Sequence, residues 1–280
     1  MTSPKRTVLI TGCSDGGMGA DLAVAFHKAG LKVYATARNP AKMEKLAAQG
    51  IETLSLDVLS ESSIAECAAK LPGLDILVNN AGQGYAIPVV DMDVAEARKM
   101  FDVNVWAPVS VIQGFLPLLL KSPSPVVVNH TSVLSVFPLP FQGPYAASKA
   151  ALAMITDCLR VELQPWGIRV VDLKTGAVRT NFIANAPEFR LPENSIYGPA
   201  RADVEKTNTD LFAAAEFPSD RWARETVQDL LRKSPAPALW RGDGARLGRL
   251  SAVLPYGMFD GTLKKMVGLD VVERVVKKRD

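Results

Sequence analysis

The fold of this chain is decided near its start, in the stretch Thr7-Val8-Leu9-Ile10-Thr11-Gly12-Cys13-Ser14-Asp15-Gly16-Gly17-Met18-Gly19-Ala20. Residues 7–10 predict a buried parallel strand, and residues 20–29 carry apolar side chains at helical spacing. The glycines therefore lie between a strand and a helix, where a dinucleotide pyrophosphate binds. Glycine permits positive φ and the close approach of a phosphate, which the free N–H groups of a helix start attract. A tight turn without a ligand is the alternative that this motif alone leaves open.

Composition and charge favour an ordinary globular protein. Of the 280 residues, 48% are hydrophobic and 22% are charged, values that argue against disorder. The length suits one large α/β domain with a sizeable core. With 32 basic and 29 acidic residues the net charge is +3, and neither sign forms a long stripe. We therefore expect no nucleic-acid partner.

The cysteines Cys13, Cys67 and Cys158 are far apart and odd in number, which favours a reducing compartment. They show no metal-ligand spacing, and with only two histidines in the chain no metal site is expected. Residues 1–6 have no apolar core, and no later apolar run reaches the roughly 18 residues of a membrane-spanning helix. We expect a cytoplasmic protein, either soluble or peripheral on a membrane or lipid surface.

Strand and helix patterns alternate from the start of the chain to about residue 180. This predicts an α/β fold with a doubly wound parallel sheet, the Rossmann fold. The predicted strands are residues 7–10, 32–35, 52–55, 75–78, 125–131 and 169–173. The predicted helices are residues 20–29, 40–48, 60–70, 94–120 and 145–163. Asn39 is expected to cap the second helix ahead of Pro40, and Pro108 and Pro117 to interrupt the fourth.

The regular alternation ends near residue 180. Residues 181–220 mix proline, asparagine and charge, which is typical of an excursion that covers a substrate. A short seventh strand is expected at residues 238–240, followed by an apolar-rich tail at residues 250–276. We predict a single domain over residues 1–280, with a cofactor-binding and catalytic core at 5–182 and a substrate loop and C-terminal tail at 183–280.

Further motifs follow the glycine loop in order: Asp57-Val58, Asn79-Asn80-Ala81-Gly82, Asn104, Ser132, Tyr145 and Lys149. Together they make residues 5–182 resemble the short-chain dehydrogenase/reductase family. Ser132 precedes Tyr145 by 13 residues, which is the family's spacing. The resemblance implies that Asn104, Ser132, Tyr145 and Lys149 are the catalytic residues.

The chemistry of the residues supports several of these assignments. Tyr145 and Lys149 lie four residues apart and therefore share one face of a helix. An ammonium beside the phenol lowers the tyrosine pKa from near 10 toward neutrality, as proton exchange with an alcohol or ketone requires. The Ser132 hydroxyl follows the fifth strand and can bond the substrate oxygen. Thr131 and Ser135 are nearby competitors for that role.

The resemblance implies two further roles for polar side chains. Lys149 would bond the ribose of the nicotinamide, and Asn104 would hold a water that links Lys149 to solvent. An asparagine inside an apolar helix can instead satisfy a backbone group, and that alternative stays open.

The end of the second strand favours NADP(H) as the cofactor. NAD-specific folds place an acid there, whereas an arginine suits the 2′-phosphate of NADP. Residues 34–37 contain no acid, and Arg38 follows them, with Lys42 as a second candidate. The expected cofactor-binding residues are Gly12, Gly17, Met18, Gly19, Arg38, Lys42, Asp57, Asn80, Ala81, Gly82, Tyr145, Lys149, Val178 and Thr180.

The chain departs from the family pattern in two places. Its glycine loop is one residue longer than the common form, and the extra residue falls between Gly12 and Gly17. The individual contacts of residues 14–16 are therefore left open. After the sixth strand, Thr175-Gly176 stands where the family commonly has Pro-Gly, although the residues that follow keep their places.

These observations predict an NADPH-dependent short-chain reductase that moves a hydride between nicotinamide and a ketone or secondary alcohol. A closer resemblance is to fungal reductases related to acyl-dihydroxyacetone-phosphate reductase and to 17β-hydroxysteroid dehydrogenases. It implies a lipid-like or secondary-metabolite substrate. Two rival hypotheses are a cyclase or isomerase on the same fold, and a non-enzymatic NADP(H)-binding regulator.

The C-terminal tail combines apolar and basic residues. Such a segment can form an interfacial helix on anionic lipid, which would make a peripheral membrane contact. Gly268 and Asp270 interrupt the pattern, however, and tails in the resembling family pack on the sheet, near the substrate cleft or at a subunit contact. Membrane association and packing, including a homo-oligomer contact, both remain open at this point.

Overall fold

The sheet of the protein contains all the predicted strands. The computed structural model describes residues 5–180, 189–255 and 257–278. Its strands are β1 (Thr7–Thr11), β2 (Lys32–Ala37), β3 (Glu52–Ser55), β4 (Ile76–Asn79), β5 (Val126–His130), β6 (Arg169–Thr175) and β7 (Ala238–Arg241). They form one sheet in the order β3-β2-β1-β4-β5-β6-β7, and every neighbouring pair is parallel. The predicted doubly wound sheet, including its short seventh strand, is confirmed.

Helices connect the strands and continue beyond them. In the described residues they are α1 (Met18–Lys28), α2 (Glu44–Ala47), α3 (Glu61–Ala69), α4 (Val94–Phe101), α5 (Ala107–Leu119), α6 (Gly143–Glu162), α7 (Arg201–Ala213), α8 (Ser219–Leu230), α9 (Ala245–Ser251), α10 (Asp260–Met266) and α11 (Leu269–Val276). A 3₁₀ turn, Pro40–Met43, precedes α2, and the Asn39 side chain caps it by accepting from the Ala41 N–H at 3.0 Å, as expected.

The long helical region between β4 and β5 differs from the prediction. We expected Pro108 and Pro117 to interrupt it, but α5 runs through Pro117, and Pro108 lies in the first turn of that helix. The helical backbone is continuous here, since the Ala107 N–H bonds the Asp102 carbonyl oxygen, and Pro108, which lacks an N–H, follows directly after the turn in which the hydrogen-bond spacing changes. The irregularity instead lies earlier, in a π-helical turn at Asp102–Trp106 that contains Asn104. Such turns redirect side chains and are frequent at functional sites.

Apolar side chains cover both faces of the sheet. On one face, Phe26 of α1 and Trp222 of α8 are fully buried against the strands. On the other face, Phe115 of α5 and Cys67 of α3 are fully buried. Burial on both faces explains why the strands are nearly continuous apolar runs and why the connections between them are helical.

A third apolar cluster joins the segment after β5 to the C-terminal part of the chain. Its buried members are Phe137, Leu139, Phe141, Phe189, Leu191, Ala200, Val204, Leu263 and Val267. Leu269, Val271 and Val272 of α11 pack against it. The tail thus has two buried apolar side chains, Leu263 and Val267, and several half-buried ones against this cluster, which favours the packing interpretation. Within the described residues, no helix is long and apolar enough to cross a membrane.

Candidate active site

The glycine loop lies at the carboxyl end of β1, where the strand order reverses between β1 and β4. Crevices at such switch points are the ligand sites of open α/β sheets. Gly12 has φ +72°, and a Cβ there would lie 2.9 Å from the Ala81 Cα. A Cβ on Gly19 would lie 2.5 Å from both the Asn80 Nδ2 and the Gly12 carbonyl oxygen. Any larger residue at position 12 or 19 would collide with these atoms, so both positions require glycine. The loop therefore carries no side chain at these two points of the crevice.

Asn80 anchors this loop. Its Nδ2 donates to the carbonyl oxygens of Thr11 at 2.8 Å and Gly12 at 3.1 Å. The Thr11 hydroxyl in turn accepts from the backbone N–H groups of Asn80 and Ala81, each at 3.0 Å. The ends of β1 and β4 are therefore locked together, which explains why the Asn-Ala-Gly motif accompanies the glycine loop.

The glycine loop, which is one residue longer than the common form, contacts the turn that follows β2. The Asp15 N–H donates to the Lys42 carbonyl oxygen at 2.8 Å, and the Asp15 carboxylate accepts from the Lys45 N–H at 3.3 Å. The loop then turns at Gly16, which has φ +79°, and α1 begins at Met18 after Gly17, whose cap position has no side-chain hydrogen bond. The start of α1 is left uncapped beside the crevice, an arrangement that fits a pyrophosphate.

The remaining expected cofactor residues lie along the same edge of the sheet. Arg38 and Lys42 are exposed just beyond β2, and Asp57 follows β3. Gly82 lies beside two of the expected catalytic residues, since its Cβ would be 3.3 Å from the Asn104 Oδ1 and 3.5 Å from the Lys149 Nζ. A cleft of about 530 Å³ opens next to these residues, between Leu59, residues 83–85 and the α4 region.

The loop after β6 completes the edge. Gly176 touches the loop after β7 so closely that a Cβ on it would lie 1.9 Å from the Asp243 carbonyl oxygen. Ala177 and Asp243 form an antiparallel bridge at this point. Val178 is buried and Thr180 is half-buried. The glycine of Thr175-Gly176 is therefore required by packing between two loops, whereas nothing there requires the proline common in the family.

Lys149 is buried on α6 and is tied to the end of β5. Its Nζ donates to the His130 carbonyl oxygen at 2.8 Å and lies 5.8 Å from the centre of the Tyr145 ring. Burial lowers the pKa of Lys149 to about 8, and the Asp172 carboxylate acts in the opposite direction. The ammonium and the phenol share one side of α6, as the spacing predicted, but the ammonium donates its hydrogen bond to a backbone carbonyl.

The pKa of Tyr145 differs from our expectation. Burial raises the pKa of Tyr145 to about 12, and a hydrogen bond with Ser132 acts to lower it. The expectation that Lys149 brings this pKa toward neutrality is therefore contradicted in the protein alone. The physical reason is that loss of water around the phenolate outweighs the charge of an ammonium held against another oxygen. Ser132, rather than Lys149, is the direct polar neighbour of the phenol.

Ser132 is distinguished from its two competitors by their contacts. The Thr131 hydroxyl donates to the Asp172 carboxylate, and the Ser135 hydroxyl accepts from the Lys174 ammonium at 3.0 Å. The Ser132 Oγ accepts from the Leu134 N–H at 3.1 Å and has a long contact to the Thr175 carbonyl oxygen, 3.4 Å. Both competitors are held by buried charges, so Ser132 is the hydroxyl that faces Tyr145.

Asn104 is fully buried in the π-helical turn and bonds the segment after Gly82. Its Oδ1 accepts from the Gln83 N–H at 2.8 Å, and its Nδ2 donates to the Gln83 carbonyl oxygen at 2.8 Å and the Ser148 Oγ at 3.0 Å. This arrangement matches the alternative in which Asn104 satisfies a backbone group. The water-holding role stays a prediction, and the Oδ1 retains a second lone pair for it.

His130 was missed as a site residue by the sequence analysis. Its Nδ1 lies 3.0 Å from the Asn80 Oδ1, and its Nε2 lies 2.7 Å from the Thr175 Oγ1. The ring stacks on Trp222 with centroids 5.3 Å apart. Burial lowers the pKa of His130 to about 3, with the Lys149 charge adding to the effect, so the ring is neutral at physiological pH. The available signal was a polar residue closing an otherwise apolar buried strand.

The fold and these contacts define a dinucleotide-binding α/β protein with a serine, a tyrosine and a lysine at the crevice. Residues 6–190 match the family described as short chain dehydrogenase. The chain belongs to the short-chain dehydrogenase/reductase family. It is an oxidoreductase that acts on CH–OH or carbonyl groups and uses a nicotinamide dinucleotide, NAD(P)(H).

Two curated fungal relatives and one solved structure illustrate the similarity. The chain is 53% identical over 281 residues to the short-chain dehydrogenase/reductase GME11361 of Pestalotiopsis microspora, covering 99% of each chain. It is 35% identical over 287 residues to the NADPH-dependent 1-acyldihydroxyacetone phosphate reductase of Schizosaccharomyces pombe, covering 95% of each. A crystal structure of a short-chain dehydrogenase from Streptomyces avermitilis superposes with TM-score 0.77 at 25% identity, covering 98% of each chain.

Proposed function

We propose that this protein is an NADPH-dependent reductase of a ketone carried by a lipid-like or secondary-metabolite substrate. The observation that carries the choice of NADP(H) is the end of β2. Arg38 is exposed there, immediately after a strand that carries no acid between residues 34 and 37. A guanidinium suits a 2′-phosphate, whereas NAD-specific sites use a carboxylate at this place. The relative from Schizosaccharomyces pombe, described as NADPH-dependent, supports the same choice.

The fit of the crevice to a dinucleotide rests on the glycines. The close approaches at Gly12 and Gly19 hold the loop tightly against residues 80 and 81, and the uncapped start of α1 offers its N–H groups to a pyrophosphate. We assign the 2′-phosphate to Arg38 and Lys42. The other assigned contacts are Gly17, Met18, Asp57, Asn80, Ala81, Gly82, Tyr145, Lys149, Val178 and Thr180.

The catalytic roles follow from protonation. The bound dinucleotide supplies the hydride. A Tyr145 phenol with a pKa of about 12 is protonated at neutral pH, so it is suited to donate its proton to the substrate oxygen as negative charge develops there. Ser132 would donate a second hydrogen bond to that oxygen. The Lys149 ammonium, with a pKa of about 8, stays mainly charged at neutral pH and favours the phenolate left behind.

The substrate class is inferred from the apolar segment that follows Ser132 in the chain. The turn that carries Ser132 leads into Phe137, Leu139 and Phe141, which are buried in the third apolar cluster with residues from the C-terminal part of the chain. The first part of the expected excursion, residues 181–188, lies outside the described residues. Aromatic and aliphatic side chains close to the reacting centre suit a substrate whose main part is apolar. One relative acts on a phosphate ester that carries an acyl chain.

The experiment is a stoichiometric assay with purified protein, NADPH and a panel of ketones that includes acyl-chain ketones. We expect one NADPH consumed for each carbonyl converted to an alcohol, with a product two mass units heavier than the substrate. Conversion of a substrate without NADPH oxidation would assign a cyclase or isomerase. Tight NADPH binding without turnover of any panel member would favour a regulator.

A further inference from the structure

A buried ion pair lies directly behind the turn that carries Ser132. The Lys174 Nζ is 2.6 Å from the Asp172 Oδ2, and the two side chains are only 11% and 3% exposed. Both residues belong to β6 and are two positions apart, so they face the same side of the sheet. Removing two charges from water is costly, and apolar residues of similar volume often stabilise a protein as well or better. A net contribution to the stability of the fold therefore does not explain why the protein contains this pair.

Each member of the pair also holds one end of the turn. The second oxygen of Asp172 accepts from the Thr131 hydroxyl, and the Lys174 ammonium donates to the Ser135 hydroxyl at 3.0 Å. Thr131 immediately precedes Ser132, and Ser135 follows it by three residues. Apolar substitutes could fill the same volume but could not bond either hydroxyl.

Other side chains pack closely on this ion pair and on the turn. The Lys174 ammonium lies 5.5 Å from the centre of the Trp240 ring. Helix α9 closes over the same place, because a Cβ on Gly248 would lie 3.0 Å from the Val133 Cβ and 3.6 Å from the Trp240 ring. In a buried place of low dielectric, the hydrogen bonds that Asp172 and Lys174 make to the two hydroxyls are stronger than the same bonds in water.

We propose that the Asp172–Lys174 pair positions Ser132 by holding the turn at residues 131–135 against β6. The pair does so through its hydrogen bonds to the hydroxyls of Thr131 and Ser135, so that the Ser132 Oγ stays directed at Tyr145. The catalytic meaning of this inference rests on the proposed function, in which Ser132 bonds the substrate oxygen. The hold on the turn is itself a structural property and can be measured without turnover.

The test uses the double variant Asp172→Asn/Lys174→Met in the full chain, which removes both charges of the pair together. Because the Asp172 carboxylate also raises the pKa of Lys149, kcat is measured well below pH 8, where Lys149 stays charged in both proteins. The matched control is Asp229→Asn/Arg241→Met, which removes another ion pair with a 6% exposed carboxylate. That pair joins α8 to the end of β7 and also contacts Arg232 and Glu225. Its side chains bond none of residues 131–135, although the Arg241 backbone pairs with Thr175. Each protein is examined for its unfolding midpoint, for kcat and KM with NADPH and the best ketone of the panel, and for amide hydrogen exchange.

We expect the Asp172→Asn/Lys174→Met protein to fold with a midpoint near that of the wild type. Its kcat should fall at least about tenfold while the Kd for NADPH changes little, because a misdirected serine affects the reacting centre. Hydrogen exchange should accelerate in the peptide that covers residues 131–137, where the Leu134 and Ser135 N–H groups bond the Ser132 Oγ and carbonyl oxygen. The control should match the wild type in both kcat and exchange of that peptide.

Two results would overturn the proposal: unchanged exchange over residues 131–137, or a kcat within about twofold of the wild type despite faster exchange. If no ketone is reduced even by the wild type, the proposed function fails, and the exchange measurement alone still decides whether the pair holds the turn.

Discussion

The Lys149 ammonium donates to the His130 carbonyl oxygen at 2.8 Å, and this bond joins α6 to the end of β5. The His130 ring contacts the Asn80 amide at 3.0 Å, and the same amide holds the Gly12 carbonyl oxygen at 3.1 Å. The expected catalytic lysine and the expected phosphate-binding loop are thus linked through two side chains.

The pKa of Lys149 predicts a pH-dependent effect on stability. Its value of about 8 in the folded protein lies below the ordinary 10.5, so the charged lysine opposes folding. Between these two pH values the unfolded chain binds more protons, and the free energy of unfolding of the wild type therefore rises with pH. The free energy of unfolding of Lys149→Met minus that of the wild type should therefore be greatest below pH 8 and should decrease as the pH rises toward 10.5. Urea titrations of both proteins without cofactor measure it, and a constant difference would contradict it.

Replacing Tyr145 by phenylalanine should remove the proton donor and leave the fold intact. We expect Tyr145→Phe to lose about 10²-fold or more in turnover, the scale of general acid–base catalysis, while most NADPH affinity is kept. The control is Tyr34→Phe, since Tyr34 is fully buried in β2 and remote from the reacting centre. Single-turnover NADPH oxidation measures both variants. Retained reduction by Tyr145→Phe would mean that another group donates the proton.

The assignment of Arg38 predicts a change in cofactor preference. Arg38→Asp would set a carboxylate against the 2′-phosphate, so NADPH should bind far more weakly while NADH binding is preserved or improved. Lys42→Asp, at the second candidate position, should have a smaller effect on the same ratio. Fluorescence titration of the wild type and the two variants with each dinucleotide gives the six affinities. Equal losses for NADPH and NADH would remove Arg38 from the phosphate site.

The packing at Gly19 predicts a loss of cofactor binding from a single methyl group. In Gly19→Ala the new Cβ would lie 2.5 Å from the Asn80 amide and the Gly12 carbonyl oxygen, so the glycine loop must shift. We expect NADPH affinity to fall at least about tenfold, because the backbone no longer fits the phosphates. Gly73→Ala, whose Cβ meets nothing within 4 Å, is the control and should bind normally. Calorimetric titration compares them, and equal affinities would show that the loop tolerates the shift.

The C-terminal tail should behave as part of the folded core. A chain ending at Gly261 lacks Leu263 and Val267, which are buried in the third apolar cluster, and so exposes that cluster. We expect aggregation of the shortened chain and no flotation of the full chain with liposomes of any composition. Circular dichroism establishes whether the shortened chain is folded. Flotation of the full chain on anionic liposomes alone would instead support a peripheral membrane contact.

The sequence by itself determined the topology and the place of the site. Apolar runs alternating with helical patterns require a parallel sheet with covered faces, and the glycine loop marks the switch point. Residues that follow β1, β4 and β5 meet at one edge of the sheet because parallel strands share their carboxyl ends. For this reason the order along the chain predicts that Gly12, Asn80 and Ser132 lie at one edge of the sheet, and in the structure they follow directly after β1, directly after β4 and closely after β5, respectively.

Only the tertiary structure decided what these residues contact and how they ionise. Thr131, Ser132 and Ser135 are equivalent as hydroxyls in the sequence, and the Asp172–Lys174 pair of a distant strand distinguishes them. The direction of the Tyr145 pKa depends on burial, which arises from packing between segments far apart in the chain. The tail likewise shows an amphipathic pattern in isolation, and its apolar partners lie about 60 to 130 residues earlier. Local spacing predicts which side chains share a face, but desolvation and the choice of hydrogen-bond partner are set by long-range packing.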